Sequence, residues 1–192
     1  NNYSYNISVG DVFYLINFWS VVMWMGVEAI APVSNENKQL VYGNQNWSTT
    51  VYGTTSSYLL IKNYELLLGR NFIPDDIKNS SKVAIIGSTV SMELFGDVNP
   101  VDKQIRIQGV PFRIIGVLKS KGSQGPFDND DLTFIPITTA QKKVFGTAFP
   151  GTVNMIVVKS LDSDVITTSS SVTVLLFTAT SAIIYSPFDF ND

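Results

Sequence analysis

Apolar positions in this chain fall into short runs separated by glycine and polar turns, and the period of the runs changes along the sequence. "QIRIQG" and "VPFRIIGVL", from Gln104 to Leu118, alternate apolar and polar residues, with Gly109 before Val110 and Pro111 at the bend between two predicted strands. "KQLVYG" and "WSTTVYGTT" are rich in β-branched and aromatic residues and are divided by Gly43-Asn44 and Asn46, which predicts a hairpin. "VEAIAPVS", from Val27, predicts a strand that ends near Pro32, because proline suits an edge or terminal position. "LTFIPI" and "VNMIVVKS" predict two more strands. "VAIIGSTVSMELFG" predicts a buried strand from Val83 to Ile86, a turn at Gly87, a cap at Ser88 and a short helix from Thr89 to Phe95 closed by Gly96. "SSYLLIKNYELLLG" mixes periods, so helix and strand both stay open there, with Gly69 ending either. "IPDDIKNSSK" predicts a polar turn with a helical start at Asp75-Asp76, and "TTAQKKVFG" a capped helical turn ended by Gly146.

The two ends have another texture. Val12 to Met25 is uncharged and interrupted by Asn17 and Ser20, with Gly26 placed to end a helix. That helix reads as buried, as facing a partner, or as lying beside a membrane surface. Val165 to Phe188 also carries no charge. Neither run is unbroken over the roughly 20 apolar residues that cross a bilayer.

Composition narrows the chemistry. The 192 residues include no histidine and no cysteine, which removes the commonest general base and metal ligand together with thiol chemistry and disulfides. With 13 basic and 16 acidic residues the net charge is -3, so no basic footprint points to nucleic acid. No phosphate-loop or dinucleotide glycine spacing is present, and no G-x-S-x-G elbow. Glu28, Glu65 and Glu93 have no spacing that marks a glycosidase pair. Asp128, Asp130 and Asp131 could gather a hard cation, but the glycine and distal glutamate of an EF-hand are missing, and the plainer reading is a solvated acidic loop. These readings predict no catalytic residue, no metal and no cofactor.

One set of strings, taken in order, carries a resemblance: "GVEAIAPV", "VYGNQNW", "VYGTTSSYLLIKNYELLLGR", "KVAIIGSTVSMELFG", "NPV", "IRIQGVPFRIIGVLKSKG" and "DNDDLTFIPITTAQKKVFG". From about Gly26 to Gly146 the chain resembles the extracytoplasmic core domain of MacB-type ABC transporter permeases. The resemblance implies an α+β fold: a mixed α/β porter-like lobe, residues 1–81 with 147–192, and an inserted β-rich Sabre-like lobe, residues 82–146. It implies a place outside the bacterial cytoplasmic membrane, between the first and second of four transmembrane helices. The implied partners are a membrane-fusion adaptor, a cytoplasmic ATPase and a second permease copy, with no nucleic acid. The implied role is non-catalytic: ATP-driven motion reaches this domain and aids efflux of drugs, peptides or toxins. Asp102 departs from the family pattern, which has glycine there, and Ser56-Ser57 stands for a pair that contains proline.

Two groups of residues follow from that role. Gly53, Thr54 and Thr55, with Gly69 and Arg70, are expected to fix a turn and a stop where the lobes meet, Arg70 tying carboxylates or carbonyls between them. The loop from Lys119 to Asp131 is the expected adaptor surface, with Phe127 as an anchor among Lys119, Lys121, Asp128, Asp130 and Asp131; a loop without a partner is the plainer reading. The competing function is a free-standing secreted module that binds peptide or carbohydrate through aromatic residues. An enzyme using carboxylates alone is the third class.

Overall fold

The computed structural model describes residues 27–124, 127–146, 153–160 and 172–176, with side chains over 28–122, 128–146 and 153–159. The expected helix at Val12 to Met25 lies outside these residues, as does most of Val165 to Phe188. The strands are β1 (Val27–Tyr42), β2 (Gln45–Thr54), β3 (Leu66–Gly69), β4 (Val83–Ile86), β5 (Gln104–Ile107), β6 (Val110–Leu118), β7 (Ser123–Gln124), β8 (Phe127–Asp128), β9 (Leu132–Pro136), β10 (Met155–Ser160) and β11 (Val172–Leu176). The helices are α1 (Ser56–Ile61), α2 (Pro74–Lys78), α3 (Ser88–Phe95) and α4 (Ile137–Thr139), the last running into one π turn at Ala140–Val144. The α+β expectation holds at this level.

Following the backbone ladders gives a closed path. β1 pairs antiparallel with β2, β2 parallel with β9, and β9 antiparallel with β4. β4 then pairs parallel with β6, β6 antiparallel with β5, and β5 antiparallel with β1 through Leu40–Ile107 and Val41–Arg106. The six strands therefore form a ring, and within it no strand keeps a free edge. Each contributes side chains to one apolar interior: Leu40, Val51, Ile86, Ile105, Phe112, Ile114 and Ile135 among them, with Val90, Leu94 and Phe95 of α3 packed against the same cluster. Burying each large side chain there stabilises the fold by about 1.5 to 3 kcal/mol.

A second core lies on the outer face. Val33, Ile85, Ile115, Leu118 and Phe134 meet Tyr58, Leu59 and Ile61 of α1 and Ile77 of α2. β6 supplies both cores by alternation, and one inserted residue shifts its phase. Ala84 pairs with Ile114 but Ile85 with Gly116, which leaves Ile115 bulged and reverses the inward parity of β6 from Ile114 to Val117. β3 also bulges, at Leu67, which is 61% exposed.

Several sequence expectations resolve here. The hairpin of β1 and β2 turns at Gly43-Asn44, with φ +56° at Gly43, and that of β5 and β6 turns at Gln108 and Gly109, both at positive φ. The ambiguous Ser56–Gly69 stretch is a helix followed by a strand. β10 pairs with the first half of β1, from Val33–Met155 to Val27–Ser160. Pro32, however, does not end β1. The strand runs through it, and its carbonyl accepts the Thr54 hydroxyl at 2.9 Å beside the point where β1 changes partner from β10 to β2.

Both family departures have a backbone meaning. Ser56 and Ser57 open α1, where proline is also tolerated. Asp102 sits at φ +65°, a conformation natural to glycine, while its N–H donates to Ile114 O at 2.8 Å. Left-handed backbone costs a side-chain-bearing residue roughly 1 to 2 kcal/mol, partly offset by the larger unfolded freedom of glycine. Asp102→Gly is accordingly expected to raise unfolding free energy by about 0.5 kcal/mol in urea denaturation. A loss instead would mean that the exposed Asp102–Arg113 contact at 3.4 Å outweighs the strain.

Candidate functional site

The segment that joins β6 to β9 is a strap folded on a buried carboxylate. Asp130 is 6% exposed, and its two oxygens are fully engaged. Oδ1 accepts the Lys121 N–H at 2.8 Å; Oδ2 accepts the Gly122 N–H at 3.0 Å and the Ser120 hydroxyl at 2.5 Å. Burial pushes this carboxyl up, but the Lys121 and Gly122 amides with the Ser120 and Ser88 hydroxyls more than offset it, leaving Asp130 below the ordinary carboxylate range. Asp128 then fixes Asp130 in turn, its Oδ1 accepting the Asp130 N–H at 2.8 Å and its Oδ2 the Thr89 hydroxyl at 2.8 Å. Asp131 accepts the Trp47 indole N–H at 2.9 Å, which ties the end of the strap to β2.

Two lysines connect the strap to the corner between α1 and β3. Lys119 Nζ donates to Glu65 at 3.0 Å, and its N–H donates to Glu65 O at 2.8 Å. Hydrogen bonding from Lys119 lowers the Glu65 carboxyl, but both side chains are exposed and the pair adds little stability. Lys121 Nζ donates to Lys62 O at 2.6 Å and lies 4.2 Å from the Tyr64 ring centroid. Desolvation and the Lys62 charge lower the Lys121 ammonium, against smaller upward contributions from Asp130 and Glu65. Tyr64 in turn meets Phe134 edge-on at 5.4 Å, with Tyr52 and Tyr58 each 5.6 Å from the same ring. Burial raises all three tyrosines, Tyr64 to about 12.

The expected loop residues therefore separate by role. Lys119 and Lys121 are surface groups at the corner; Asp128, Asp130 and Asp131 are hydrogen-bonded within the fold. Phe127 pairs with Gln124 in the small β7–β8 ladder, and its side chain lies outside the described residues. Sequence reading missed Ser120, Gly122, Ser88, Thr89 and Trp47 as donors to the three carboxylates. The available signal was the run of small donors beside the first lysines, Ser120 to Gly122, which suits a carboxylate eight to ten residues on. Among the described residues no group of three or more acidic side chains is arranged to hold a metal ion.

The second expected group also changes shape. Gly53 and Thr54 are not a turn: they end β2, and Thr55 stands at the N-cap position of α1 without a capping hydrogen bond from its buried hydroxyl. Gly53 is needed because a Cβ there would lie 2.4 Å from Ala140 Cβ, so the bare backbone admits the helix after β9. Gly69 has φ +80°, and a Cβ would fall 2.1 Å from Ile115 O, at the β6 bulge. The Arg70 N–H donates to that same carbonyl at 2.9 Å. The Arg70 side chain stays local, its Nη1 reaching Asn71 O at 2.9 Å and Asp76 Oδ2 at 2.7 Å. Asp76 also accepts the Ile73 N–H at 3.1 Å, capping α2.

Burial raises the Asp76 carboxyl, but the Arg70 and Ile73 hydrogen bonds bring it below its ordinary value of 3.8. The folded protein thus holds this proton less readily than the unfolded chain, so the contribution is complete above about pH 4 and is lost as pH falls through the depressed folded value. Asp76→Asn should cost about 1 to 2 kcal/mol at pH 7 and flatten the acid limb, read by urea denaturation from pH 7 down to pH 3. An acid limb as steep as that of the unchanged chain would assign the acid sensitivity elsewhere.

Comparison with known proteins gives this arrangement its context. Residues 7–171 match the MacB-like periplasmic core domain family. The macrolide export ATP-binding/permease protein MacB of Chlorobaculum tepidum is 47% identical over 108 residues, 56% of this chain and 17% of that protein. The pyoverdine export ATP-binding/permease protein PvdT of Pseudomonas aeruginosa is 36% identical over 125 residues, 65% of this chain and 19% of its own length. The chain thus spans less than a fifth of the length of either relative. Among solved structures, the periplasmic region of MacB from Actinobacillus actinomycetemcomitans superposes with a TM-score of 0.63 at 23% identity, over 82% of this chain and 66% of that one. The extracellular domain of the noncanonic ABC-type transporter YknZ from Gram-positive bacteria gives 0.63 at 21% identity, over 78% and 73%. With the family match extending across the ring, the strap and β10, the chain belongs to the MacB-like periplasmic core domain family.

Proposed function

We propose that this chain is the extracytoplasmic part of an ABC exporter permease, where it carries motion from the membrane to a docked adaptor and performs no bond chemistry itself. The observation that carries the reading is the continuity of β1. Its first residues pair with β10 and its later ones with β2 and β5, so one strand joins the foot of the domain to the ring. Sixteen extended residues span roughly 50 Å. A displacement at the foot therefore moves the ring through hydrogen-bonded ladders rather than through a hinge.

In this reading the protein is held by flanking transmembrane helices, pairs with a second permease copy, and is driven by a cytoplasmic ATPase. The relatives' names link them to macrolide and pyoverdine export; for this chain the cargo class is drugs, peptides or toxins. The Sabre-like lobe is residues 82–146 and the porter-like lobe residues 1–81 with 147–192. The lobes then share ladders, since β1 and β2 of one pair with β5 and β9 of the other. The strap from Lys119 to Asp131 is the adaptor surface, with Lys119, Lys121 and Phe127 as contacts and Asp128, Asp130 and Asp131 holding its shape.

The test uses the full-length permease in membrane vesicles. Inserting two glycines between Val33 and Ser34 should leave ATP hydrolysis within about twofold and cut export at least about tenfold. Unchanged export would remove the lever. For the docking surface, Lys119→Glu and Phe127→Ala should each weaken adaptor binding about tenfold, equivalent to about 1.4 kcal/mol, at unchanged melting temperature. Unchanged affinity in both would remove the strap as the contact.

A further inference from the structure

The ring is closed at its two ends by short helical pieces of opposite charge. Val90, Leu94 and Phe95 of α3 enter the inner core at one end, and Ala140 and Val144 of the π turn at the other. Their places follow from β2. The Phe95 ring lies 4.2 Å from that of Tyr42, which pairs with Gln45 at the start of β2, while Ala140 meets the Gly53 backbone near its end. α3 and the residues after it, Ser88 to Asn99, include the exposed Glu93 and Asp97 and no lysine or arginine. The π turn carries Lys142 and Lys143, both exposed, and no carboxylate.

The turn between α2 and β4 adds two more lysines to the π-turn end. Thr138 donates its hydroxyl to Ile77 O at 2.5 Å, Thr139 to Ser81 O at 2.8 Å, and Lys142 Nζ donates to Ser80 Oγ at 3.1 Å. These bonds lay the helix after β9 along the turn that bears Lys78 and Lys82, both exposed. Ser80 N–H to Ile77 O at 3.2 Å and Ser81 N–H to Asp76 O at 2.9 Å hold the turn itself. Among the described residues none of the four lysines forms an ion pair with a carboxylate, while Asp76 and Asp102 are engaged by Arg70 and Arg113. Four like charges gathered on one rim repel one another until anions join them. A chain of net charge -3 that collects them at one end and stays acidic at the α3 end is electrostatically oriented.

We infer that the α2–β4 turn and the π turn form a landing surface for the anionic phospholipid headgroups of a bilayer, through Lys78, Lys82, Lys142 and Lys143. The choice of lipid rests on the proposed function, in which the β10-paired half of β1 lies toward the membrane. Ser34, where β1 passes from β10 to β2, pairs with Gly53, and Gly53 is the residue against which Ala140 sits. The cationic end is therefore the end from which that half of β1 departs. The side chains suit many headgroups rather than one bound anion, because lysine offers a point charge on a flexible stem and lacks the planar fork of arginine. A protein partner would need apolar anchors among the charges, and no exposed large hydrophobic side chain among the described residues lies on either turn.

The test is sedimentation of the 192-residue chain with vesicles of phosphatidylcholine alone or with roughly 30% phosphatidylglycerol. Binding should appear with phosphatidylglycerol and fall at least about tenfold between about 50 and about 500 mM salt. Uptake through the uncharged runs of the chain is blind to headgroup charge and appears equally with phosphatidylcholine. Lys142→Gln with Lys143→Gln, and separately Lys78→Gln with Lys82→Gln, should each weaken binding at least about tenfold at unchanged melting temperature, whereas Lys38→Gln, the loss of a charge elsewhere on β1, should change it less than about twofold. The two pairs lie on separate elements, so a failure of one to fold leaves the other to decide. Equal binding to both vesicles, or binding that survives both pairs, overturns the surface. Displacement by inorganic phosphate at constant ionic strength would make it a site for a single anion instead, and tighter binding of poly-glutamate than of the vesicles at equal anion concentration would make it a site for acidic protein. Vesicle binding is read without export, so a failed landing surface and a failed lever are told apart.

Discussion

The structure depends on β5. Four residues, Gln104–Ile107, stand between β1 and β6 and turn an open mixed sheet into a closed ring. Without that pairing β1 and β6 would each present a hydrogen-bonding edge, and the interior around Phe112 and Ile105 would lose one wall. The closure rests on a local device, the two-residue turn at Gln108 and Gly109 whose positive φ values give the right twist to the hairpin. A short-range choice of backbone thereby sets a contact between residues 40 and 107.

From the ring follows the division into two cores. A strand buried on both faces needs apolar residues at consecutive positions, as in "VAII" of β4, where all four residues are buried. β6 meets the same demand with a bulge. By leaving Ile115 unpaired opposite β4, it brings Val117 rather than Gly116 into the inner core, and the Ile115 carbonyl becomes the point that Gly69 and Arg70 approach. The glycine at 69 is thus required by a bulge forty-six positions away, since only a residue without Cβ fits against that carbonyl.

Local grammar explains what was legible in the sequence. The hairpins, the β4–α3 unit and β10 depend on periodicity and turn residues within a few positions, and the structure has each of them, except that Gly87 takes the N-cap of α3 in place of the expected Ser88, whose hydroxyl turns to Asp130. The Gly53-Thr54-Thr55 string was read as a turn because glycine and threonine punctuate loops; its actual constraint is the approach of Ala140, a contact made after more than eighty residues have intervened. Pro32 was read as a strand end because its missing N–H breaks a ladder, but β1 changes partners at that point. The acidic loop looked solvated for the same reason: nothing in "DNDD" tells which carboxylate will be covered, and the choice of Asp130 is made by Ser88 on α3 and by the amides of residues 121 and 122.

Stiffness is unevenly placed in this fold. The ladders of β1 join its β10-paired half to the ring through many backbone hydrogen bonds that must break together to shear, whereas the strap meets the corner through one backbone bond, Lys119 N–H to Glu65 O, and two side-chain heads. In the proposed role, a load entering at β10 is carried along β1 before it can deform the ring.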